Sequence, residues 1–230
     1  MYQKTMVAAI VAVIALSSPL VMGAGAYTEQ WDSGSLAGWH QNTIETTVEY
    51  MATGGNGGGY VKTYGDTGGT YDIGAQISSS SAPASPFVGD YIAGGITGCH
   101  VDLSFVYGQY DGVMLRFRYE SAAYNGWYYP LSPQYIPSWQ TFSTDFDPSW
   151  TDTEARANGW LADEGANPSI SFAQTMGSVY AVDIRLSGTD YCEGGIDNFG
   201  LRGAEQFIPA PGALLLGVIG LVSCRFRRRR

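Results

Sequence analysis

Between residues 44 and 201, apolar and polar positions alternate with a period of two in a series of short segments. Ile44 to Met51 reads I-E-T-T-V-E-Y-M, Val101 to Tyr107 reads V-D-L-S-F-V-Y, and Val113 to Tyr119 reads V-M-L-R-F-R-Y. In the last of these, Val113, Leu115, Phe117 and Tyr119 share one face, and Arg116 and Arg118 take the other. Successive strand side chains point to opposite sides, so this pattern predicts half-buried antiparallel strands. Tyr60 to Tyr64, Gln140 to Thr144, Ser178 to Leu186 and Gly195 to Leu201 complete the set, with Gly, Ser, Pro and Asn between them. Helical potential is confined to Ala155 to Leu161, enough for one or two turns. Ser78 to Pro86 (S-S-S-S-A-P-A-S-P) is a low-complexity loop rather than a linker, because too little chain precedes it for a separate domain. The 31 glycines and 16 tyrosines weigh against a helical or α/β fold. The expected class is all-β, an antiparallel two-sheet, jelly-roll-like β-sandwich of about eight or nine strands.

The two ends break this pattern. Lys4 precedes an apolar run from Met6 to Leu16, Ser17 to Pro19 interrupt it, and Ala24-Gly25-Ala26 forms an A-x-A site. That layout predicts a secretory signal peptide over residues 1–26 and a mature chain starting near Tyr27. At the other end, Pro209-Ala210-Pro211 comes before an uncharged apolar stretch from Gly212 to Cys224. The chain then closes on Arg225, Arg227, Arg228, Arg229 and Arg230. The prolines fix φ and remove backbone donors, so no helix runs through them. From Pro209 to Phe226 there are about 18 residues, the lower edge of what spans a hydrocarbon core of roughly 30 Å. The arginines would face the cytoplasm and leave the upstream chain outside. The expected organisation is a signal peptide (1–26), one β-sandwich domain (27–203), a linker with the Pro-x-Pro motif (204–211), and a transmembrane segment with an Arg-rich tail (212–230).

Charge sharpens this picture. Of the twelve basic residues, Lys4 and five arginines lie in the two ends, whereas all 21 acids fall between Glu29 and Glu205. Six bases against 21 acids leave the domain near −15. Such a surface repels nucleic-acid phosphates and anionic lipid, and it is compatible with neutral sugars, cations or basic partners. Cys99 and Cys192 are the cysteines of the domain. In an oxidising compartment they suggest one disulfide closing about 93 residues, worth about 4 kcal/mol in the chain-entropy model; the alternative is two buried thiols. Cys224 reads as a small apolar residue of the tail segment.

Signals for catalysis are weak. There is no G-x-S-x-G elbow, and His40 and His100 are the only imidazoles. The carboxylate pairs Asp145/Asp147 and Asp152/Glu154 have the side chains for glycosidic acid–base chemistry, but sequence spacing in a sandwich says nothing about their separation in space. The glycine run Gly54 to Gly59 lacks the Gly-Lys-Ser/Thr ending of a phosphate loop and reads as a turn between strands. Tyr124 to Tyr129, Tyr135, Trp139 and Trp150 crowd one region. Aromatic faces of this kind stack on sugar rings, with Trp127, Tyr128 and Tyr129 the best candidates, but they also fill sandwich cores.

The C-terminal layout resembles the PEP-CTERM sorting signal of Gram-negative bacteria, with Ala210 where that family has Glu. The resemblance implies an exosortase-type membrane enzyme as partner and a destination at the cell surface or in the extracellular matrix. The alternative is a single-pass tail anchor. The domain resembles laminin-IV-type and galactose-binding-like jelly rolls. The pieces that carry this are G-G-N-G-G-G-Y-V at Gly54 to Val61, P-F-V-G-D-Y at Pro86 to Tyr91, A-V-D-I-R-L at Ala181 to Leu186, and G-G-I-D-N-F-G-L at Gly194 to Leu201. This second resemblance implies a structural Ca²⁺ between first and last strands, with Glu29 or Asp32 and Asp197 at the matching positions. Against it, Asp197 and Asn198 can cap a turn by side-chain to backbone bonding. The expected function is a secreted, non-enzymatic protein with an adhesive or structural role in the envelope or matrix. A carbohydrate-binding module for exopolysaccharide or plant and algal glycans is the alternative, and a glycoside-active enzyme the weaker one.

Overall fold

The computed structural model describes residues 26–44, 46–66, 72–81, 85–119, 125–163 and 170–203. The stretch read as a signal peptide, up to Gly25, the Pro209-Ala210-Pro211 motif and the tail with Arg225 and Arg227 to Arg230 lie outside the described residues. Two antiparallel sheets pack face to face. The first has the order β3 (Thr46–Met51), β4 (Tyr60–Asp66), β12 (Tyr191–Gly203), β6 (Ile96–Tyr107), β9 (Gln140–Asp145), with β1 (Tyr27–Glu29) also paired to β12. The second has the order β10 (Leu161–Ala162), β8 (Gly126–Leu131), β7 (Tyr110–Arg118), β11 (Ala181–Gly188), β5 (Asp72–Ser78), β2 (His40–Gln41).

The period-two pattern decides which side of each strand meets the other sheet. Val61, Leu103, Phe105 and Ile196 face inward from the first sheet, and Ile73, Ile77, Leu115, Phe117, Val182 and Ile184 from the second. Each such side chain removed from water contributes about 1.5–3 kcal/mol. Two aromatic clusters belong to the core. Trp39 lies 5.7 Å from Trp31, 5.9 Å from Phe87 and 5.4 Å from Phe199, all edge-on. Trp160 stands 5.5 Å from Phe117, 5.6 Å from Phe146 and 5.4 Å from Phe172.

The G-I-D-N-F-G-L segment contains a β-bulge. Asn198 takes a left-handed φ of 47°, and the register with β6 shifts between Asp197 and Gly200. The extra residue lets Ile196 and Phe199 both point into the core although they are three apart, and it turns Asp197 and Asn198 to the outer face. Asn tolerates that backbone better than most side chains.

Helix is sparse among the described residues: α1 (Tyr91–Gly94), α2 (Asp152–Ala157) and α3 (Phe172–Met176). The turn expected from Ala155 to Leu161 is α2, starting three residues earlier. Thr151 and Glu154 form a reciprocal capping box there, and Ser171 and Gln174 do the same for α3.

The expected disulfide does not form. Cys99 and Cys192 are buried free thiols. Cys99 lies opposite Leu201 on β12, while Cys192 sits near the other end of that strand. Nine strand positions put them on the order of 25 Å apart, against the roughly 7 Å that a bridge tolerates between Cα atoms. Burial raises the Cys99 thiol to about 12, so it is a packing residue with no reactivity.

Candidate functional site

The outward face of the second sheet carries Tyr128 on β8, Arg116 and Arg118 on β7, Asp183 on β11, Gln76 on β5 and His40 on β2. Alternation places them there, out of phase with Leu115, Phe117, Val182 and Ile77. A charged outward face would ordinarily be solvated. Here Arg116, Arg118 and Asp183 are 5%, 7% and 0% exposed.

Their burial is tolerable because they satisfy one another. Asp183 Oδ2 accepts from Arg116 Nε at 2.8 Å and from Arg116 Nη2, and it pairs with Arg118 Nε at 3.1 Å. Arg116 Nη1 reaches Asp163 Oδ2 at 2.8 Å. Arg118 Nη2 donates to Gln76 Oε1, whose Nε2 donates to Gln41 O and lies 3.1 Å from His40 Nε2. His40 Nδ1 is 3.2 Å from Gly38 O, so Nδ1 carries the proton and Nε2 accepts. One polar relay, Asp163–Arg116–Asp183–Arg118–Gln76–His40, therefore crosses the sheet from the β10 edge to the β2 edge. Burial works against the Arg116 charge, but Asp183 and Asp163 outweigh it and hold the guanidinium above its ordinary range. The two arginines and two aspartates balance. Asp183 Oδ1 is buried with no partner among the described residues.

Trp127, Tyr128 and Tyr129, the expected stacking platform, separate by strand alternation. Trp127 is 1% exposed and belongs to the core, with Nε1 donating to Ile170 O at 3.1 Å and Phe172 edge-on at 5.4 Å. Tyr129 lies half-buried against Trp160 on the same side. Tyr128 alone faces the relay, opposite Arg116. The platform is therefore corrected to a single tyrosine beside a charged network.

The residues matched to calcium lie at the glycine loop between β3 and β4. Asp197 Oδ2 accepts from Asn56 N at 2.6 Å and Oδ1 from Asn198 N at 2.7 Å. Asp102 Oδ2 accepts from the side-chain amides of Asn56 and Asn198 at 2.7 and 2.8 Å. Glycine is required at Gly55, where a Cβ would stand 2.5 Å from the Gly59 carbonyl oxygen and 2.6 Å from Asp197 Oδ2; one on Gly58 would displace the Asp32 carboxylate, whose Oδ1 would stand 2.0 Å away. Glu29 is turned away, accepting from Trp31 N at 2.9 Å and Tyr27 Oη at 3.2 Å. Among the described residues no three His, Cys, Asp or Glu side chains form a metal-holding group. Asp32 and Asp197 both meet the loop, and Glu29, the alternative to Asp32, does not join them.

Burial, with smaller contributions from the Asp102 and Asp32 charges, raises Asp197 to about 6 against the two backbone N–H bonds. A carboxylate raised on folding binds its proton more tightly in the native state, so this group adds stability as pH falls through the window from about 6 to about 4. The melting temperature should therefore rise by a few degrees between pH 7 and pH 5 in metal-free buffer, and an Asp197→Asn variant should lose that rise. A flat profile in the parent protein would contradict the burial of this group.

The carboxylates considered for hydrolysis have local tasks. Asp147 accepts from Ser149 N and Oγ, and Glu154 from Thr151 N and Oγ1; these bonds lower both. Asp145 pairs with Arg202, and Asp152 accepts from Phe172 N. His100 is held below its ordinary range, mainly by burial. The relay was missed in the sequence, although Arg116 and Arg118 were placed on one face. Asp183 and Gln76 are the in-phase polar positions of A-V-D-I-R-L and D-I-G-A-Q-I.

No protein-family model matches this sequence, and neither does any curated protein. The structure does have similar solved folds. A family 11 carbohydrate-binding module of a cellulosomal cellulase of Clostridium thermocellum aligns over 79% of this chain and 96% of its own, at 13% identity and a TM-score of 0.50. An exo-β-agarase aligns over 78% of this chain and 25% of its own, at 11% identity and a TM-score of 0.52. The shared feature is the fold, a jelly-roll-like two-sheet sandwich.

Proposed function

We propose that this chain is a carbohydrate-binding module of an exported protein, taking a neutral polysaccharide on the outward face of the second sheet. This reading replaces the adhesive or structural role as the leading one. The observation that carries it is the row of half-buried Asp163, Tyr128, Gln76 and His40, held in place by the buried Arg116, Asp183 and Arg118 beneath it. Sugar hydroxyls are both donors and acceptors, and a fixed row of carboxylate, phenol, amide and imidazole groups matches them. The fold shared with a family 11 carbohydrate-binding module is in keeping with this reading. Asp163 and Asp183 both face one guanidinium rather than each other across a gap, an arrangement suited to binding rather than to hydrolysis.

Affinity electrophoresis of the purified protein through soluble β-glucan, xylan and agar tests this. Retardation by at least one of them is expected, weakened about tenfold in Tyr128→Ala with its melt unchanged. A folded protein that none of the three retards would return the structural role to first place.

Export through the signal peptide, and sorting by an exosortase-type enzyme through the Pro209–Pro211 motif and arginine tail, belong to the same proposal. They rest on sequence alone. A calcium ion held by Asp32 and Asp197 belongs to the same proposal; a melting temperature that ignores EDTA at pH 7 would remove it.

A further inference from the structure

The opposite face of the molecule also presents aromatic rings. On the outward side of the first sheet, Tyr107 on β6, Glu193 on β12 and Tyr64 on β4 are cross-strand neighbours, with Tyr191 two residues before Glu193. Tyr107 is 65% and Tyr191 41% exposed. Their rings lie 6.0 Å apart, and Tyr64 stands 6.3 Å beyond Tyr191. Along the same face, Trp139 lies over Gly195, where a Cβ would meet its ring at 2.7 Å, and it contacts Tyr60 edge-on at 5.3 Å. From Tyr191 to Gly195 is about 13 Å at strand spacing.

None of these outward rings belongs to the buried core, and Tyr64 and Trp139 are nonetheless held. Lys62 sits 5.0 Å above the Tyr64 ring and 2.9 Å from Glu193 Oε1, between the two aromatic groups. Tyr64 Oη donates to Glu49 at 2.8 Å, and Trp139 Nε1 donates to Gly54 O at 2.9 Å. Fixed rings lose little freedom when a ligand covers them. Exposed aromatic surface of this extent marks a contact site.

Charge selects the occupant. The domain carries about −15, so a second copy, an anionic membrane or a nucleic acid is repelled at long range. A neutral sugar chain meets no such barrier. Its apolar C–H faces suit Tyr and Trp rings, and its hydroxyls suit the Lys62–Glu193 pair between them.

We propose that this face is a second polysaccharide-contacting surface, so that one domain holds two neutral glycan chains, one on each side of the sandwich. This rests on the carbohydrate-binding reading and extends it from a binder to a cross-linker.

The test uses the purified protein, Tyr107→Ala/Tyr191→Ala, its leucine counterpart Tyr107→Leu/Tyr191→Leu, and Tyr128→Ala on the other face. Affinity electrophoresis through β-glucan, xylan and agar is paired with light scattering of each polysaccharide mixed with protein. Parent protein should be retarded and should cross-link the polysaccharide. Both double variants should melt as the parent does, bind about tenfold more weakly and cross-link nothing. Tyr128→Ala should keep residual retardation and lose cross-linking.

If the double variants match the parent while Tyr128→Ala loses retardation, the second surface is wrong and the module reading stands. If the parent itself is not retarded, both fail. A parent that is dimeric without glycan, and monomeric as Tyr107→Ala/Tyr191→Ala, would assign the face to protein contact and overturn the proposal.

Discussion

Asp183→Ala is expected to destabilise the domain by about 3–5 kcal/mol, seen as a fall of roughly 10 °C or more in melting temperature for a domain of this size. Asp183 has no solvent exposure and is shared by two guanidiniums that are themselves nearly buried. Removing the carboxylate leaves Arg118 with only Gln76 and Arg116 with Asp163 among its described carboxylate partners, so buried positive charge is poorly matched. Urea unfolding measures the loss. A companion variant separates structure from recognition. Replacing Asp183, Arg116 and Arg118 together by leucine or methionine should recover most of the stability, because a buried ion network and well-packed apolar side chains are often close in free energy. Its glycan retardation should be no stronger than the residue left in Tyr128→Ala. Recovery of parental stability together with parental binding would show that the relay is not the recognition element described above.

Trp127→Ala should cost about 3–5 kcal/mol, the range for a large aromatic removed from a packed core. The indole is closed in by Phe172, by the Ile170 carbonyl and by the Arg156 guanidinium 5.2 Å from its ring. Trp127→Phe should fall between the parent and the alanine variant, since it keeps an apolar ring and loses the hydrogen bond. Thermal melting distinguishes this from a sugar-stacking role. A stacking tryptophan, once lost, would weaken glycan binding and leave the melt alone. An unchanged melt for Trp127→Ala would overturn its placement in the core.

The strands that the sequence showed plainly are those with clean alternation. Val113 to Tyr119 appears as β7, with Val113, Leu115 and Phe117 inside and Arg116 and Arg118 outside. β5 and β8 were not recognised as strands. In D-I-G-A-Q-I-S the small Gly74 and Ala75 dilute the apolar signal, although Ala75 is fully buried between longer neighbours. In G-W-Y-Y-P-L, Pro130 argues against a central strand. Among the described residues β10 pairs with Trp127 and Tyr128 and does not reach Pro130, so no described strand lies on the outer side of β8 there and the proline is tolerated. The same gap left Trp127 open between surface and core, because a cluster of aromatic letters carries no phase until the strand is known.

Local order along the chain was enough to determine that this is an antiparallel β-sandwich with little helix, an acidic surface and two chemically distinct ends. Those properties depend on residue type and on spacings of two to four, which the sequence displays directly. Four matters were decided only by tertiary structure: the burial of the Arg116–Asp183–Arg118 charges, the separation of Cys99 from Cys192, the docking of the glycine loop on Asp197, and the division of the aromatic residues between core and both outer faces. Each depends on which strands become neighbours and in what register. Arg116 and Asp183 are 67 residues apart in the chain, and Asn56 and Asp197 are 141 apart. The free energy of such contacts comes from mutual desolvation and pairing across the sheet, and no local pattern records it.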